Sequence, residues 1–424
     1  VGIGKEAYWK SLVEGRVAFK GIEFPNMDMS QYRCRIAAPI DGFNFYDHVE
    51  RTKYSKHFGR TSQFAVLGSL LALRDAGMEL ERKERKEDVS EGKGLYELKD
   101  MDSFLAGAVL GIGGEAMELL EHYHERFLSR GMRGISPFAL PNIYMSSITS
   151  HVTEFFTLRG PSFTVTTACA SGTHALINAF IQIRDGIADL MVTGGADACL
   201  TPYVFAGFDV IRAMSPRNDA PEKACRPFDR ERDGFVMGEG SGIVVLEELD
   251  HALLRKAPNI YGEVVGYGMT ADAFHITEPD PEGRWLAKAI EDALQMGETL
   301  PEEIDYINPH GTSTPWNDKV ETKAIKDVFG KHAYRIPISA TKSITGHMMG
   351  GAGGVEAIAV ALTLEREIIH PTLNYENPDP ECDLDYVPNQ SRKTRVNRAL
   401  SLSAGFGGVN SVLLIKKFED SLPA

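Results

Sequence analysis

Cysteine is scarce in this sequence, and the pattern of the few present excludes two classes at once. Five stand in 424 residues, Cys34, Cys169, Cys199, Cys225 and Cys382. They are odd in number, scattered and without a Cys-x-x-Cys pair, so neither a disulfide framework nor a zinc site is indicated. Long apolar runs are missing too: none approaches the roughly 18 residues of a membrane span, and no signal-peptide pattern opens the chain. Basic residues are outnumbered, 45 against 59 acidic, for a net charge of −14. This argues against a general nucleic-acid binder and leaves room only for a local basic patch that docks an acidic partner. Nucleotide loops are absent as well: no Gly-x-x-x-x-Gly-Lys-[Ser/Thr] occurs, and Gly111-Ile112-Gly113-Gly114 has the wrong spacing for Gly-x-Gly-x-x-Gly. A cytoplasmic protein without metal, nucleotide or membrane is expected.

What is present is an ordinary globular composition, 43% hydrophobic and 25% charged, over a length too great for one small core. Two lobes or a duplicated domain are expected. Residues 163–167 are apolar and β-branched and read as a strand, and residues 173–184 read as a buried helix. Cys169 stands on the turn between them. A free cysteine is more often a small core residue. On a strand-to-helix turn, however, it meets the orphan N–H groups and positive end of the following helix, which favour the thiolate and match the logic of a nucleophile elbow.

The pattern repeats along the chain. A strand over 189–193 runs into Gly194-Gly195-Ala196-Asp197, and Gly238-Glu239-Gly240-Ser241-Gly242 leads into a strand over 243–246. Later, Gly405-Phe406-Gly407-Gly408 leads into a strand over 409–415, and a strand over 338–342, a glycine-rich turn and a helix over 354–364 parallel the elements around Cys169. An internal duplication is inferred, with halves 1–257 and 258–424. The first half opens on a helix over 6–12 with no apolar strand before it, so its core is expected to lack a first strand in this numbering. Residues 78–102 are highly charged and read as a solvated excursion.

The second half supplies partners for the cysteine. Asn308-Pro309-His310-Gly311-Thr312-Ser313-Thr314 follows a short strand over 304–307, a place where α/β proteins gather functional groups. Thr341-Lys342-Ser343-Ile344-Thr345-Gly346-His347 sets a lysine and a second histidine on a glycine-bounded loop. One cysteine and one histidine would suit a thioester hydrolase, the imidazole taking the thiol proton. Two histidines, with no Asn or Asp beside either to orient it, suit another use, in which both donate hydrogen bonds to an enolate formed when carbon dioxide or a proton leaves beside a carbonyl. The backbone at Phe406, freed by the glycines around it, offers an N–H for a second oxyanion hole.

These blocks, with Thr167-Ala168-Cys169-Ala170-Ser171-Gly172 first and Gly405-Phe406-Gly407-Gly408-Val409-Asn410 last, resemble the signature blocks of β-ketoacyl-acyl-carrier-protein synthases. The nearest form is the type II elongating enzyme of dissociated bacterial fatty-acid synthesis. The likeness extends through Arg226-Pro227-Phe228-Asp229 and Arg232-Asp233-Gly234-Phe235, and the Cys-His-His set separates the chain from Cys-His-Asn synthases and from thiolases with a second cysteine. The resemblance implies a thiolase-like α/β fold, a duplicated five-layered αβαβα core, and a homodimer. It implies that Cys169 carries the acyl chain as a thioester, in an oxyanion hole of the Cys169 and Phe406 backbones. His310 and His347 would stabilise the enolate from decarboxylated malonyl-carrier, and the product would be two carbons longer. Lys342 matches the family's active-site lysine, Glu356 its ion-pair partner, Thr312 and Thr314 the contacts to the phosphopantetheine arm, Phe406 a gate, and Ile112 a position near the acyl pocket. Lys53, Lys56, Arg133 and Arg212 match places where relatives face the acidic acyl carrier protein. No resident cofactor is implied, since phosphopantetheine arrives on the substrate.

Some residues depart from the family pattern. Pro309, Trp316 and Ala404 replace the usual residue types, and the charged segment at 82–102 is longer than usual. A specialised elongating synthase of a secondary lipid or polyketide pathway is the reading these suggest. Two alternatives stand beside it: a non-elongating partner subunit, which would lack the nucleophile, and a Cys-His thioester hydrolase.

Overall fold

The apolar runs on either side of the duplication become the centres of two sheets. The computed structural model describes residues 1–25, 27–52, 55–82, 95–114 and 116–419. Ala106–Gly111 (β1), Ser162–Val165 (β2), Leu190–Asp197 (β3) and Gly240–Glu247 (β4) form the first sheet in the order β2-β1-β3-β4, parallel except for β4. Glu263–Ala271 (β5), Tyr306–Asn308 (β6), Arg398–Gly405 (β7) and Val409–Lys416 (β8) form the second in the order β5-β8-β7-β6, with only β6 and β7 parallel. Strands β1 and β3 are buried along their whole length, as strands covered on both faces must be.

Six helices complete the layers. Arg60–Asp75 (α1) and Met145–Phe156 (α2) cover the first sheet, and Arg284–Met296 (α4) with Pro315–Phe329 (α5) cover the second. Ser171–Arg184 (α3) and Ala352–Arg366 (α6) pack between the sheets and touch both. The sequence explains the sorting. Helix α4 keeps Leu286, Ala289, Ile290 and Ala293 inward and its charges outward, whereas α3 and α6 carry almost no charge before their last turn and are buried on most sides. Their close crossing needs glycine: a Cβ on Gly353 would lie 2.5 Å from the Thr173 nitrogen. The result is the expected αβαβα stack.

The halves correspond closely, with two differences. Strands β1, β3 and β4 match β6, β7 and β8, yet β5, which flanks β8, has no counterpart beside β4 among the described residues. A cavity of about 1170 Å³, lined by β4, α1, α3 and α6, lies apart from Cys169, His310 and His347. A second difference concerns residues 338–342. Only Ile338 bridges Ile307, because the Ala340 N–H donates to the Thr372 hydroxyl and the chain then turns into a short helix, Lys342–Thr345. The charged excursion is entered and left through an antiparallel pair, Leu80–Arg82 with Tyr96–Leu98, and residues 83–94 between them lie outside the described residues. Among the described residues no helix is long and apolar enough to cross a membrane.

Candidate active site

Strand β2 ends at Val165, and α3 begins at Ser171. The turn between them is held by Ser171, whose hydroxyl accepts from the Thr167 N–H at 2.9 Å and donates to the Ala168 carbonyl at 2.6 Å. Ala168 has φ +50°, a left-handed conformation that a residue with a Cβ adopts only when its surroundings impose it. Cys169 follows it, two residues ahead of the helix, and is only 9% exposed. Burial pushes its thiol up to about 12, against a smaller downward pull from the Lys342 charge and a hydrogen bond from the Phe406 backbone. Where the helix end was expected to favour the thiolate, burial works against ionisation of the thiol. Alkylation of Cys169 by iodoacetamide should therefore quicken about tenfold per pH unit from about pH 7 to 10. A rate already level at pH 7 would contradict this.

His310 lies two residues beyond β6. Its backbone N–H donates to Glu321 Oε1 at 2.5 Å, and that of Gly311 to Oε2 at 2.8 Å. Lys342 Nζ donates to the His310 carbonyl at 2.7 Å, sits 3.3 Å from His310 Nδ1 and pairs with Glu356 on α6. An ammonium can only donate, so Nδ1 accepts and the ring proton resides on Nε2. Lys342 thus sets the tautomer that makes His310 a donor.

His347 is stitched to the facing segment, donating its N–H to the Val236 carbonyl at 2.8 Å and accepting from the Gly238 N–H at 2.9 Å. Its ring meets that of His310 edge-on, with centroids 5.4 Å apart. Both imidazoles are held neutral, their pKa values pushed well below the ordinary one by burial and then by the Lys342 charge. The Cys169 sulfur and one nitrogen from each ring lie within 4.8 Å of one another. Such a set could hold a soft divalent metal, although the chemistry it suits requires none.

The remaining expected residues fall into three groups. Lys342 and Glu356 form an ion pair, each side chain 1% exposed, and burial raises the Glu356 pKa while Lys342 draws it back. Phe406 lies on the turn between β7 and β8, 36% exposed, and begins an aromatic chain: its ring is 6.1 Å from Phe208, Phe208 is 5.6 Å from Phe235, and Phe235 is 5.2 Å from His347. The Thr312 and Thr314 hydroxyls are 2.8 Å apart, beside the exposed Trp316 at the start of α5. Ile112 is fully buried just beyond β1. On the surface, Lys56 is exposed in the turn Ser55–His57, and Arg133 is exposed in the turn Gly131–Gly134. His57 of the first turn stacks at 4.3 Å on Phe138, four residues past the second. Arg212 is exposed after the separate helix Pro202–Val210, and Lys53 lies outside the described residues.

Sequence reading missed the supports of this site. Glu321 and Asp318 are fully buried on α5, Glu321 under His310 and Asp318 accepting from the Phe228 N–H at 2.7 Å. Burial pushes Glu321 up to about 8. The signal was their spacing, i and i+3, in phase with the apolar Ile325. Arg232 donates to the Thr314 and Pro315 carbonyls and to Asp379, and the Arg226 N–H donates to the Ser313 hydroxyl. The two arginine blocks are thus the cradle of the 312–315 loop.

Known proteins resemble this chain in sequence and fold. The family description Beta-ketoacyl synthase, N-terminal domain, matches residues 1–252, and Beta-ketoacyl synthase, C-terminal domain, matches residues 261–376. The chain belongs to the β-ketoacyl synthase family. This synthase is 43% identical to 3-oxoacyl-[acyl-carrier-protein] synthase 2 of Synechocystis sp. over 99% of the chain and 95% of that relative. It is 40% identical to the protein of the same name from Staphylococcus aureus, over 99% and 96%. Among solved structures it resembles the ishigamide ketosynthase/chain length factor (TM-score 0.86, 32% identity, 99% and 96% covered). It also resembles a β-ketoacyl synthase from Burkholderia phymatum (0.83, 33%, 98% and 95%). A third likeness is to a type II PKS ketosynthase solved with its acyl-carrier protein and bound to the hexaketide (0.84, 30%, 98% and 96%). The fold is that of the thiolase-like ketosynthases.

Proposed function

We infer that this synthase elongates an acyl chain by decarboxylative Claisen condensation with malonyl-acyl-carrier protein, giving 3-oxoacyl-acyl-carrier protein and carbon dioxide. One observation carries the reading: a buried thiol within 4.8 Å of two imidazoles, both held neutral. In the first half-reaction the Cys169 sulfur attacks the acyl thioester carbonyl and gives up its proton. The oxyanion faces the backbone N–H groups of Cys169 and Phe406. Collapse breaks the C–S bond to the phosphopantetheine arm, whose sulfur takes up the proton and leaves as the thiol.

In the second half-reaction the bond between the malonyl carboxylate and Cα breaks, and carbon dioxide departs. The electron pair moves into the thioester carbonyl, where the His310 Nε2–H and the His347 ring donate to the enolate oxygen. Cα then attacks the Cys169 thioester, the C–S bond breaks, and the thiolate takes a proton from solvent. The Thr312 and Thr314 hydroxyls hold the arm, Phe406 gates the entrance, and Ile112 bounds the acyl chain. No resident cofactor is needed. A hydrolase would need water at the thioester, and the burial of Cys169 and both rings disfavours it.

The partner is acyl carrier protein, docked by Lys56, Arg133 and Arg212, with Lys53, which lies outside the described residues, as the fourth expected contact. Charge reversal at any of the three described residues should raise KM for the carrier by about 3- to 30-fold, more at low salt, with kcat unchanged. An unchanged KM would remove that residue from the patch. A homodimer fits the exposed edge strand β2, with Phe163 39% exposed, and the nearby apolar Tyr144 at 60%. Native mass spectrometry should give twice the chain mass, and a monomer at micromolar concentration would refute it. Trp316 at the entrance and Ala404 beside the gate support a specialised acyl range, which ordinary long-chain preference in an acyl-carrier panel would refute.

The reaction itself is tested by product analysis. Incubation with acyl-carrier and malonyl-carrier should yield a 3-oxo product two carbons longer and one carbon dioxide per turnover. Free acid formed without malonyl-carrier would establish a hydrolase, and no reaction a partner subunit.

A further inference from the structure

One buried carboxylate that the mechanism does not use ties the two halves of the site together. Asp197, the last residue of β3, is fully buried. Its Oδ2 accepts from the Gly113 N–H at 2.9 Å and from the Gly350 N–H at 2.5 Å, and its Oδ1 accepts from the Gly114 N–H at 3.0 Å. No described cation pairs with it in an ion pair: burial pushes its pKa up to about 7, and the three backbone donors, with the Cys199 side chain, draw it back toward the carboxylate. Those backbone donors come from two places. Gly113 and Gly114 continue the chain beyond Ile112 in the first half, whereas Gly350 lies three residues after His347 in the second.

The backbones so joined leave no slack. A Cβ on Gly350 would lie 2.3 Å from the Gly113 nitrogen, and one on Gly113 would lie 3.1 Å from the carbonyl of Ala168, the residue before Cys169. Only glycine permits such approach, and only an acceptor at Asp197 holds it. On the other side, His347 is stitched to residues 236–238 through its backbone, while its Nδ1 has no hydrogen-bond partner. Nothing bonded to the ring fixes its place, so the position of its loop decides where the ring lies. His310, by contrast, is fixed independently by Glu321 and Lys342.

We propose that Asp197 is a positioning residue that sets the His347 ring against Cys169 by clamping the Gly350 backbone to the Gly113–Gly114 turn. This rests on the condensing reading for its kinetic consequence. A misplacement of about 1 Å in such a site lowers a rate by about 100-fold. Acyl transfer to Cys169 needs no enolate donor from either ring, whereas enolate stabilisation uses both, so the half-reactions should respond differently.

The test compares Asp197→Asn, which keeps the shape but turns one acceptor into a donor facing N–H groups, with the conservative Asp197→Glu. Acylation of Cys169 is followed by intact mass, and carbon dioxide release from malonyl-carrier by the acylated enzyme is followed separately. With Asn, carbon dioxide release is expected to fall about 30- to 100-fold and acylation less than about 3-fold, with Glu recovering part of the loss. A second readout needs no substrate. In Asp197→Asn the His347 Cε1–H resonance is expected to begin titrating nearer the ordinary imidazole range, while that of His310 stays put. The clamp is overturned if both half-reactions are unchanged or fall together with the folded fraction, or if the two histidine resonances are unmoved or shift alike. If Asn does not fold, Asp197→Glu is held to the same comparisons. A wild-type enzyme that fails to condense would refute the condensing reading, and the histidine titration would still decide the clamp.

Discussion

Alanine at His310 or at His347 is expected to suppress carbon dioxide release from malonyl-carrier by about 100- to 1,000-fold while Cys169 still acquires its acyl chain. The two residues face one oxygen from perpendicular rings, so each removes one donor from the enolate and neither removes the nucleophile. Acylation needs only that the thiol proton reach the departing phosphopantetheine sulfur and draws on neither ring as an enolate donor, which is why it survives. Equal loss in the two half-reactions would contradict the assignment. The pH dependence has a definite sign. Both folded pKa values lie well below the ordinary imidazole value, so the rings stay neutral as the medium is acidified through about pH 6.5 and the condensation rate shows no limb there from their protonation. The unfolded chain does take up those protons. The stability these neutral rings contribute is therefore present above about pH 6.5 and declines as the pH falls below it, and Tm should drop between about pH 7 and 5.

Methionine at Lys342 is expected to weaken both the fold and the chemistry. It strands Glu356 in a site where its pKa is already raised, and breaking one side of a buried pair destabilises by about 3–5 kcal/mol. It also removes the donor at His310 Nδ1 and so the bias toward the Nε2–H tautomer. The double variant Lys342→Met, Glu356→Gln separates these effects. Denaturant unfolding should show most of the stability recovered, because no charge is left buried alone, while carbon dioxide release remains at least about 100-fold down. Recovery of both would make the pair purely structural.

The residues that do the chemistry were legible because they break local rules in short segments. A cysteine on a strand-to-helix turn, a histidine just past a strand and a glycine cluster before β8 each announce themselves within a dozen positions. The duplication was legible for the same reason, since strand, turn and helix recur in order. What escaped depends on contacts that no local pattern announces. The Cys169 thiol was expected to ionise because the helix end is local, whereas the desolvation that wins comes from the whole surrounding shell. Glu321 and Asp318 gave no sign in the sequence of their backbone partners, which for Glu321 lie back across a loop at His310 and Gly311 and for Asp318 lie 90 residues earlier at Phe228. The strand expected over 338–342 shrank to a single bridge because a threonine hydroxyl from residue 372 claims its next donor. Asp197 followed two glycines at the end of a strand and gave no sign of the three donors that meet it.

The central claim is that Cys169 carries the growing chain between two half-reactions, and time-resolved intact mass tests it most directly. The protein and its Cys169→Ala variant are incubated with acyl-carrier, and malonyl-carrier is added second. An adduct of one acyl mass that forms only with Cys169 present, and then chases into a 3-oxo product two carbons longer, is the predicted result. An adduct on the alanine variant, or one released as free acid whether or not malonyl-carrier is present, would contradict the account.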